Sequence, residues 1–388
     1  MVTSTPPRHT LVITNDYPPR PGGIQTFIFE MVRRFPADQV TVLTSNFEGA
    51  QDFDASNPWK VRRSEAQVLL PTRNTLEMAE ELIAETGASQ VLFGAAAPLG
   101  LLAKKLRKSG ISNIVSISHG HEVGWSSTPV THQGIRRIVA DSDWFTYLGD
   151  YTLAGIRKAA DPEDFGKFRQ LTPAVDANEF HPDQIDAGNA LRASIGFANR
   201  PTIVCVSRLM ARKGQDRLIE ALPLIQQQVP SAALIIVGSG SGLKRLQDHA
   251  VRVGVVDDVH FTGKVPQDQL SSWYAAGDIF AMPCRTRNAG WDVEGLGIVF
   301  LEASATGLAV VAGDSGGAPD AVRQGETGIV VDGNDIEHIA SAISELLLNP
   351  ERAKAMGRAG REWVEQAWSW EYSFSRLYSM LSGIDPDA

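Results

Sequence analysis

The 388-residue chain contains only two cysteines, Cys205 and Cys284, each inside an apolar run. That placement excludes a disulfide framework and a cysteine-built metal site, and predicts two buried free thiols. Long hydrophobic runs are missing as well: none reaches the roughly 18 residues needed to cross a bilayer. Residues 1–10 offer neither an apolar signal core nor a cleavage site, so the chain is expected to stay in the cytoplasm. Positive charge is in short supply. A net charge of −9 argues against a nucleic-acid partner. The acidity is uneven, because residues 1–180 are nearly neutral and hold the basic clusters Arg33-Arg34, Arg62-Arg63, Lys104-Lys105-Leu106-Arg107-Lys108 and Arg136-Arg137.

A chain of this length exceeds one ordinary hydrophobic core, so two domains are expected. Short apolar runs alternate with helix-length amphipathic segments, the pattern of open parallel sheets covered by helices, and the fold class is α/β. Strands are predicted at 10–14, 40–44, 67–70, 90–93, 114–118, 144–148 and 168–171, with helices at 23–35, 75–85, 99–108 and 152–159. A turn-rich polar stretch, 173–200, is expected to connect the domains. The rhythm then resumes, with strands at 202–206, 233–237, 259–262, 279–282, 309–312 and 328–331. Helices are predicted at 215–228, 242–253, 268–276, 296–306, 319–324, 336–348 and 350–366. The boundaries expected are 1–178 and 179–366, each a Rossmann-like domain, and 367–388, a helix packing back on the first. Two tandem Rossmann-like domains facing each other across a cleft would place ligands at the carboxyl ends of their strands.

The most informative motif is Glu294-Gly-Leu-Gly-Ile-Val-Phe-Leu-Glu302, a glycine turn running into an apolar helix start with a carboxylate at either end. Glycines let backbone N–H groups approach a ligand closely, and a helix N-terminus favours negative charge. A sugar joined to a nucleoside diphosphate suits such a site, with hydroxyls at both ends and phosphates between. The loop Val206-Ser207-Arg208-Leu209-Met210-Ala211-Arg212-Lys213-Gly214 adds a planar cationic fork, Arg208, and a mobile point charge, Lys213, able to hold a diphosphate. A rigid proline loop, Asn15 through Gly22 and Gly23, ends at a helix start and can press N–H groups against a phosphate.

In order and spacing these pieces resemble the retaining glycosyltransferases of family 4, which have the glycosyltransferase-B fold. The resemblance covers nearly the whole chain and also takes in Val237-Gly238-Ser239-Gly240, Phe261-Thr262-Gly263-Lys264-Val265 and Gly316-Gly317-Ala318-Pro319-Asp320. Within that family, residues 14–27 and 283–322, including Arg287-Asn288-Ala289-Gly290-Trp291, look most like actinobacterial phosphatidylinositol mannoside mannosyltransferases that use GDP-mannose. The resemblance implies that Arg208 and Lys213 hold the diphosphate, Glu302 the ribose and Glu294 the donor sugar. Gly22 and Gly23 would meet phosphate from the N-terminal side, Gly238 and Val265 would lie at the nucleotide, and the backbone of Gly297, Ile298 and Val299 would meet phosphate or sugar. His119, in Ser118-His119-Gly120-His121-Glu122, matches the histidine beside the donor sugar. Leu296 departs from the family's usual Phe, which touches only local packing. Implied partners are GDP-mannose, a phosphatidylinositol mannoside acceptor and an anionic membrane surface, with the enzyme peripheral on the inner face of the plasma membrane and no metal or other cofactor. Alternatives are a family member using a UDP-sugar and a soluble acceptor, or a non-catalytic sugar-nucleotide-binding protein.

Other signals point elsewhere or nowhere. Asp141-Ser142-Asp143 reads as a surface turn, and His119-x-His121-Glu122 has no third zinc ligand at a sensible spacing. Val237-Gly-Ser-Gly-Ser-Gly242 fails the dinucleotide fingerprint because Leu243 takes the place of the third glycine. Residues 99–108 place leucines on one helical face with cations at the end, which fits either a core helix or a membrane-surface helix.

Overall fold

The computed structural model describes residues 8–126, 129–290 and 292–388; Trp291 and residues 1–7 of the N-terminal segment considered above lie outside the described residues. The chain forms two compact units, residues 1–173 with 370–388, and residues 174–369. Each contains one parallel sheet.

The first unit has seven strands: β1 Thr10–Thr14, β2 Val40–Thr44, β3 Lys60–Arg63, β4 Gln90–Phe93, β5 Asn113–Ser116, β6 Trp144–Tyr147 and β7 Phe168–Gln170. Their order is β3-β2-β1-β4-β5-β6-β7. The order in which strands are added reverses between β1 and β4, which run parallel, so the loop after β1 opens at a topological switch point. Strands β1, β2 and β4 are buried along their whole length, which is why each is mostly apolar, with Thr10, Thr14, Thr41, Thr44 and Gln90 as buried polar exceptions. The predicted strand at 67–70 is a correction: these residues form a loop in which Leu69 alone is buried, and Asn15 holds both the N–H and the C=O of Leu69. Strand β3 takes the edge instead. Its sequence, Lys-Val-Arg-Arg, has one apolar residue and alternates in exposure, as suits an edge where charge discourages pairing with another chain.

The segment 99–108 breaks into a 3₁₀ turn, Leu99–Leu102, one α-turn, Ala103–Leu106, and a second 3₁₀ turn, Arg107–Ser109. Leu99, Leu102, Ala103 and Leu106 are buried with Leu11, Ile13, Val91 and Phe93, so these three leucines serve the core, while Leu101 is exposed. Helix Pro129–Asp141 covers the sheet where no helix was expected. The C-terminal helix Trp370–Leu381 belongs to this unit. Its Leu377, Met380 and Leu381 are buried among Val12, Ile28, Met31, Leu92 and Val115. Gln90 and Asn113 donate to the Leu381 carbonyl at 2.7 and 3.0 Å, tying the helix end to β4 and β5.

The second unit has six strands, β8 Thr202–Val206, β9 Ala233–Val237, β10 Val259–Gly263, β11 Ile279–Met282, β12 Ala309–Gly313 and β13 Gly328–Val331, in the order β10-β9-β8-β11-β12-β13. Here the switch point lies between β8 and β11. The stretch 173–200 is less irregular than expected, because helix Ile185–Ser194 forms within it. Arg192 on that helix bonds both oxygens of Asp278 at 3.0 and 3.1 Å, and Asp278 also accepts from the Thr202 N–H at the start of β8. The predicted helix 319–324 is a short 3₁₀ turn, Ala318–Ala321.

Truncating Leu377 to Ala removes a fully buried side chain and is expected to cost the first unit about 2–5 kcal/mol. Calorimetry should show its unfolding transition moving down; an unmoved transition would contradict the docking of the C-terminal helix.

Candidate active site

In the second unit the strand β8 ends in the loop carrying Arg208 and Lys213. Gln215, buried at the start of helix Gln215–Gln228, donates to Ser207 Oγ at 2.7 Å and to the Arg208 carbonyl at 3.0 Å, and Leu209 N–H bonds the Ser239 carbonyl at 3.0 Å. The loop is therefore held from both sides. Arg208 is exposed and forms no ion pair among the described residues. Lys213 is buried, and its Nζ lies 2.6 Å from Glu294 Oε2.

Glu294 reaches that position because two backbones pack in near contact. Gly317 N–H donates to the Glu294 carbonyl at 2.9 Å, and a Cβ at Gly316 would fall 2.0 Å from that same oxygen. Only glycine allows the approach. The motif Gly316-Gly317-Ala318-Pro319-Asp320 thus acts by fixing the loop that bears the first carboxylate. Helix Ile298–Ala305 follows, capped by Gly297 at φ +79°, where a Cβ would strike the Phe300 ring at 2.5 Å. The N–H groups of Ile298 and Val299 have no acceptor within the helix and present its positive end. Gly238 donates to the Gly263 carbonyl at 3.1 Å after β9, and half-buried Val265 follows β10.

Glu302, one turn into the helix, accepts from the Tyr274 hydroxyl at 2.5 Å. Burial raises its pKa to about 7, against the lowering effect of that hydrogen bond. The two carboxylates of one motif thus face opposite chemistries, Glu294 an ammonium and Glu302 a phenol.

In the first unit Gly22 caps helix Gly23–Val32, and both glycines are exposed. Asp16, in the proline loop, accepts from Gln25 at 2.7 Å. His119 follows β5. Its Nε2 lies 2.6 Å from the Gly94 carbonyl, and Phe27 meets the ring edge-on with centroids 5.6 Å apart. Burial lowers its pKa below the usual imidazole value. A carbonyl only accepts, so the neutral ring carries its proton on Nε2 and offers Nδ1 as an acceptor for a hydroxyl. Glu122, fully buried, takes hydrogen bonds from Ser118 Oγ at 2.9 Å and from His119 N–H at 3.2 Å, which sets this turn.

The remaining signals settle as parts of the fold. Asp143 binds Arg107 at 2.6 Å and the Ile114 N–H at 2.7 Å. Among the described residues no three His, Cys, Asp or Glu side chains are grouped to hold a metal ion. Cys205 and Cys284 are buried free thiols, and burial pushes the Cys205 thiol up to about 12. Sequence reasoning missed the roles of Gln215, Tyr274 and Arg212. Arg212 stood in plain view beside Lys213, whereas Tyr274 lies 28 residues from Glu302 and carries no local signal.

The twin Rossmann-like sheets, with cations, carboxylates and a glycine-capped helix start in the loops at their strand ends, define a nucleotide-sugar glycosyltransferase. The family model for glycosyl transferases group 1 matches residues 189–363. The chain belongs to that family. It is 46% identical over 381 residues, 97% of this chain and 98% of the other, to the GDP-mannose-dependent alpha-(1-6)-phosphatidylinositol monomannoside mannosyltransferase of Mycobacterium tuberculosis H37Rv. It is 43% identical, over 96% of this chain and 98% of the other, to the GDP-mannose-dependent monoacylated alpha-(1-6)-phosphatidylinositol monomannoside mannosyltransferase of Corynebacterium glutamicum. Among solved structures, Anabaena HepE in complex with UDP superposes with a TM-score of 0.77 at 18% identity, covering 97% of this chain and 100% of that one, and shares the fold.

Because burial lifts the folded pKa of Glu302 above the ordinary carboxylate value of 4.5, stability is lost as pH rises from there toward about 7. The effect is on the order of 3 kcal/mol at most. Glu302→Gln should therefore gain thermal stability relative to the parent at pH 8 and lose that advantage at pH 4. A pH-independent difference in melting temperature would contradict the assignment.

Proposed function

We propose that this protein is a retaining α-mannosyltransferase, moving mannose from GDP-mannose to the 6-position of a phosphatidylinositol mannoside. The observation that carries the reading is the 46% identity along essentially the full length of an enzyme named for that activity. The charges in the loops fit it. Breaking the bond between mannose C1 and the diphosphate oxygen leaves negative charge on the leaving group and positive character at C1. Arg208, Lys213 and the N–H groups of Ile298 and Val299 stabilise the first, and they gain most as that charge develops. Glu294 holds hydroxyls of the mannose, Glu302 the ribose diol, and His119 Nδ1 accepts from a sugar hydroxyl. Gly22 and Gly23 offer N–H groups to phosphate, while Gly238 and Val265 line the nucleotide. The acceptor hydroxyl forms its bond to C1 on the face the diphosphate leaves, and a phosphate oxygen takes the hydroxyl proton, so the anomeric configuration is retained.

An acceptor anchored in a bilayer calls for contact with its surface. The loop after β3 supports such contact, because Val68 and Leu70 are 51% and 53% exposed, and Arg62 and Arg73 flank the loop. In this reading the protein is peripheral on the cytoplasmic face, held by apolar insertion and by cations near anionic headgroups.

GDP-mannose should raise the melting temperature and UDP-glucose should not. The transferred mannose should be α-linked by proton NMR, with turnover unchanged by chelators. Lys213→Ala should lower turnover by about a hundredfold to a thousandfold, the usual loss for one such donor. Preference for a UDP-sugar, or a β-linked product, would overturn the reading. For the membrane contact, Val68→Asp with Leu70→Asp should weaken pelleting with anionic liposomes, and added salt should weaken the parent's. Equal binding to neutral liposomes would refute it.

A further inference from the structure

Lys213 and Glu294 have conflicting duties. In the proposed reaction Lys213 serves the diphosphate and Glu294 the sugar, yet in the structure they form a buried ion pair at 2.6 Å. An ammonium that turns to a diphosphate shares or surrenders its carboxylate. Leaving a buried carboxylate without a partner is costly, which holds the lysine where it is.

A second cation stands beside the pair. Arg212, with its side chain 16% exposed, has its Nε 3.7 Å from Glu294 Oε2. Both atoms are buried without a directed hydrogen bond: Arg212 Nε has no acceptor, and Lys213 meets Oε2 by charge, out of hydrogen-bond alignment. A donor and an acceptor, each unsatisfied, therefore face one another less than 1 Å beyond ordinary hydrogen-bond length.

Arg212 is also anchored independently of Glu294. Its NH1 donates to Asp292 Oδ1 at 3.2 Å, and its carbonyl accepts from the Arg285 N–H at 2.8 Å. Asp292 is itself fixed by backbone bonds to Arg287 in both directions, at 2.9 and 3.2 Å. The guanidinium is thus held in place while one N–H points toward the carboxylate.

Resting on the proposed donor site, we infer that Arg212 is a positioning residue that exchanges with Lys213 on Glu294. As the ammonium engages the diphosphate, Arg212 Nε–H closes onto Oε2, keeps the carboxylate paired and oriented toward the sugar, and removes the penalty for releasing Lys213. Arg212 acts on diphosphate affinity without touching the diphosphate. That separates it from Arg208, a direct ligand in the same reading.

The test is a double-mutant cycle on GDP binding by titration calorimetry, with GDP chosen because it carries the diphosphate and no sugar. Arg212→Ala should weaken GDP binding by about tenfold to a hundredfold, because Lys213 is then retained by an otherwise unpaired carboxylate. Glu294→Gln alone should leave GDP affinity equal to or tighter than the parent's. In the Glu294→Gln background, Arg212→Ala should have little further effect, because a neutral amide no longer retains the lysine. Arg212→Gln, closer in bulk, is measured alongside and carries the test if Arg212→Ala fails to fold. Unchanged GDP affinity in the Arg212 variants overturns the inference. So does an equal loss with and without Glu294, which would make Arg212 a direct ligand or a merely structural group. A parent protein that binds no GDP overturns the donor-site reading and the inference with it; parent binding with unaffected Arg212 variants overturns the inference alone.

Discussion

A buried carboxylate next to a buried ammonium is the interaction on which the second unit's chemistry depends. The pair of Glu294 and Lys213 is poor value as a stabilising device, because desolvating two charges consumes most of what their attraction returns. Its position has to be enforced by the rest of the fold. Gly316 and Gly317 bring one backbone against the Glu294 loop, and Gln215 holds the loop that leads to Lys213. Arg285, bonded to both oxygens of Asp216, closes the ring between the β11 loop and the helix after β8. Remove any of these and two costly charges remain without the geometry that justifies them.

The same layout recurs in each unit. Both sheets are parallel, both reverse their order of strand addition beside their first strand, and in both the loops at the strand ends carry the polar groups. Strands buried on both faces supply rigidity, which lets short loops hold charged side chains in fixed places. The first unit uses this frame for a neutral imidazole set by Glu122 and Gly94, and the second for charged groups.

What the sequence revealed follows the same division. Fully buried strands such as β8 and β9 are visible because, Thr202 apart, every residue is apolar, and their limits agree with the prediction. The edge strand β3 was missed because its one exposed flank admits charge, while the apolar residues of 67–70 drew attention to a loop that Asn15 shapes through side-chain bonds. Helix Ile185–Ser194 was hidden by the turn residues around it. In the site, glycines and cations packed into short motifs were legible. The partners that give them meaning come from distant positions, as Tyr274 does for Glu302, and no local pattern announces a contact made only by folding.

That last contact explains why one motif carries two carboxylates in unlike settings. Glu302 has a phenol as its hydrogen-bond partner, and burial lifts its pKa to about 7, which leaves it partly protonated near neutrality. A ribose diol brings two further hydroxyl donors, and hydrogen bonds of that kind favour the ionised form. Binding a nucleotide there is therefore coupled to loss of a proton, with the nucleotide held less tightly as pH falls below about 7. Glu294, beside a lysine and an arginine, has its partners supplied by the protein itself. One carboxylate becomes fully charged through its ligand, and the other is held in place by fixed cations so that a ligand can be oriented.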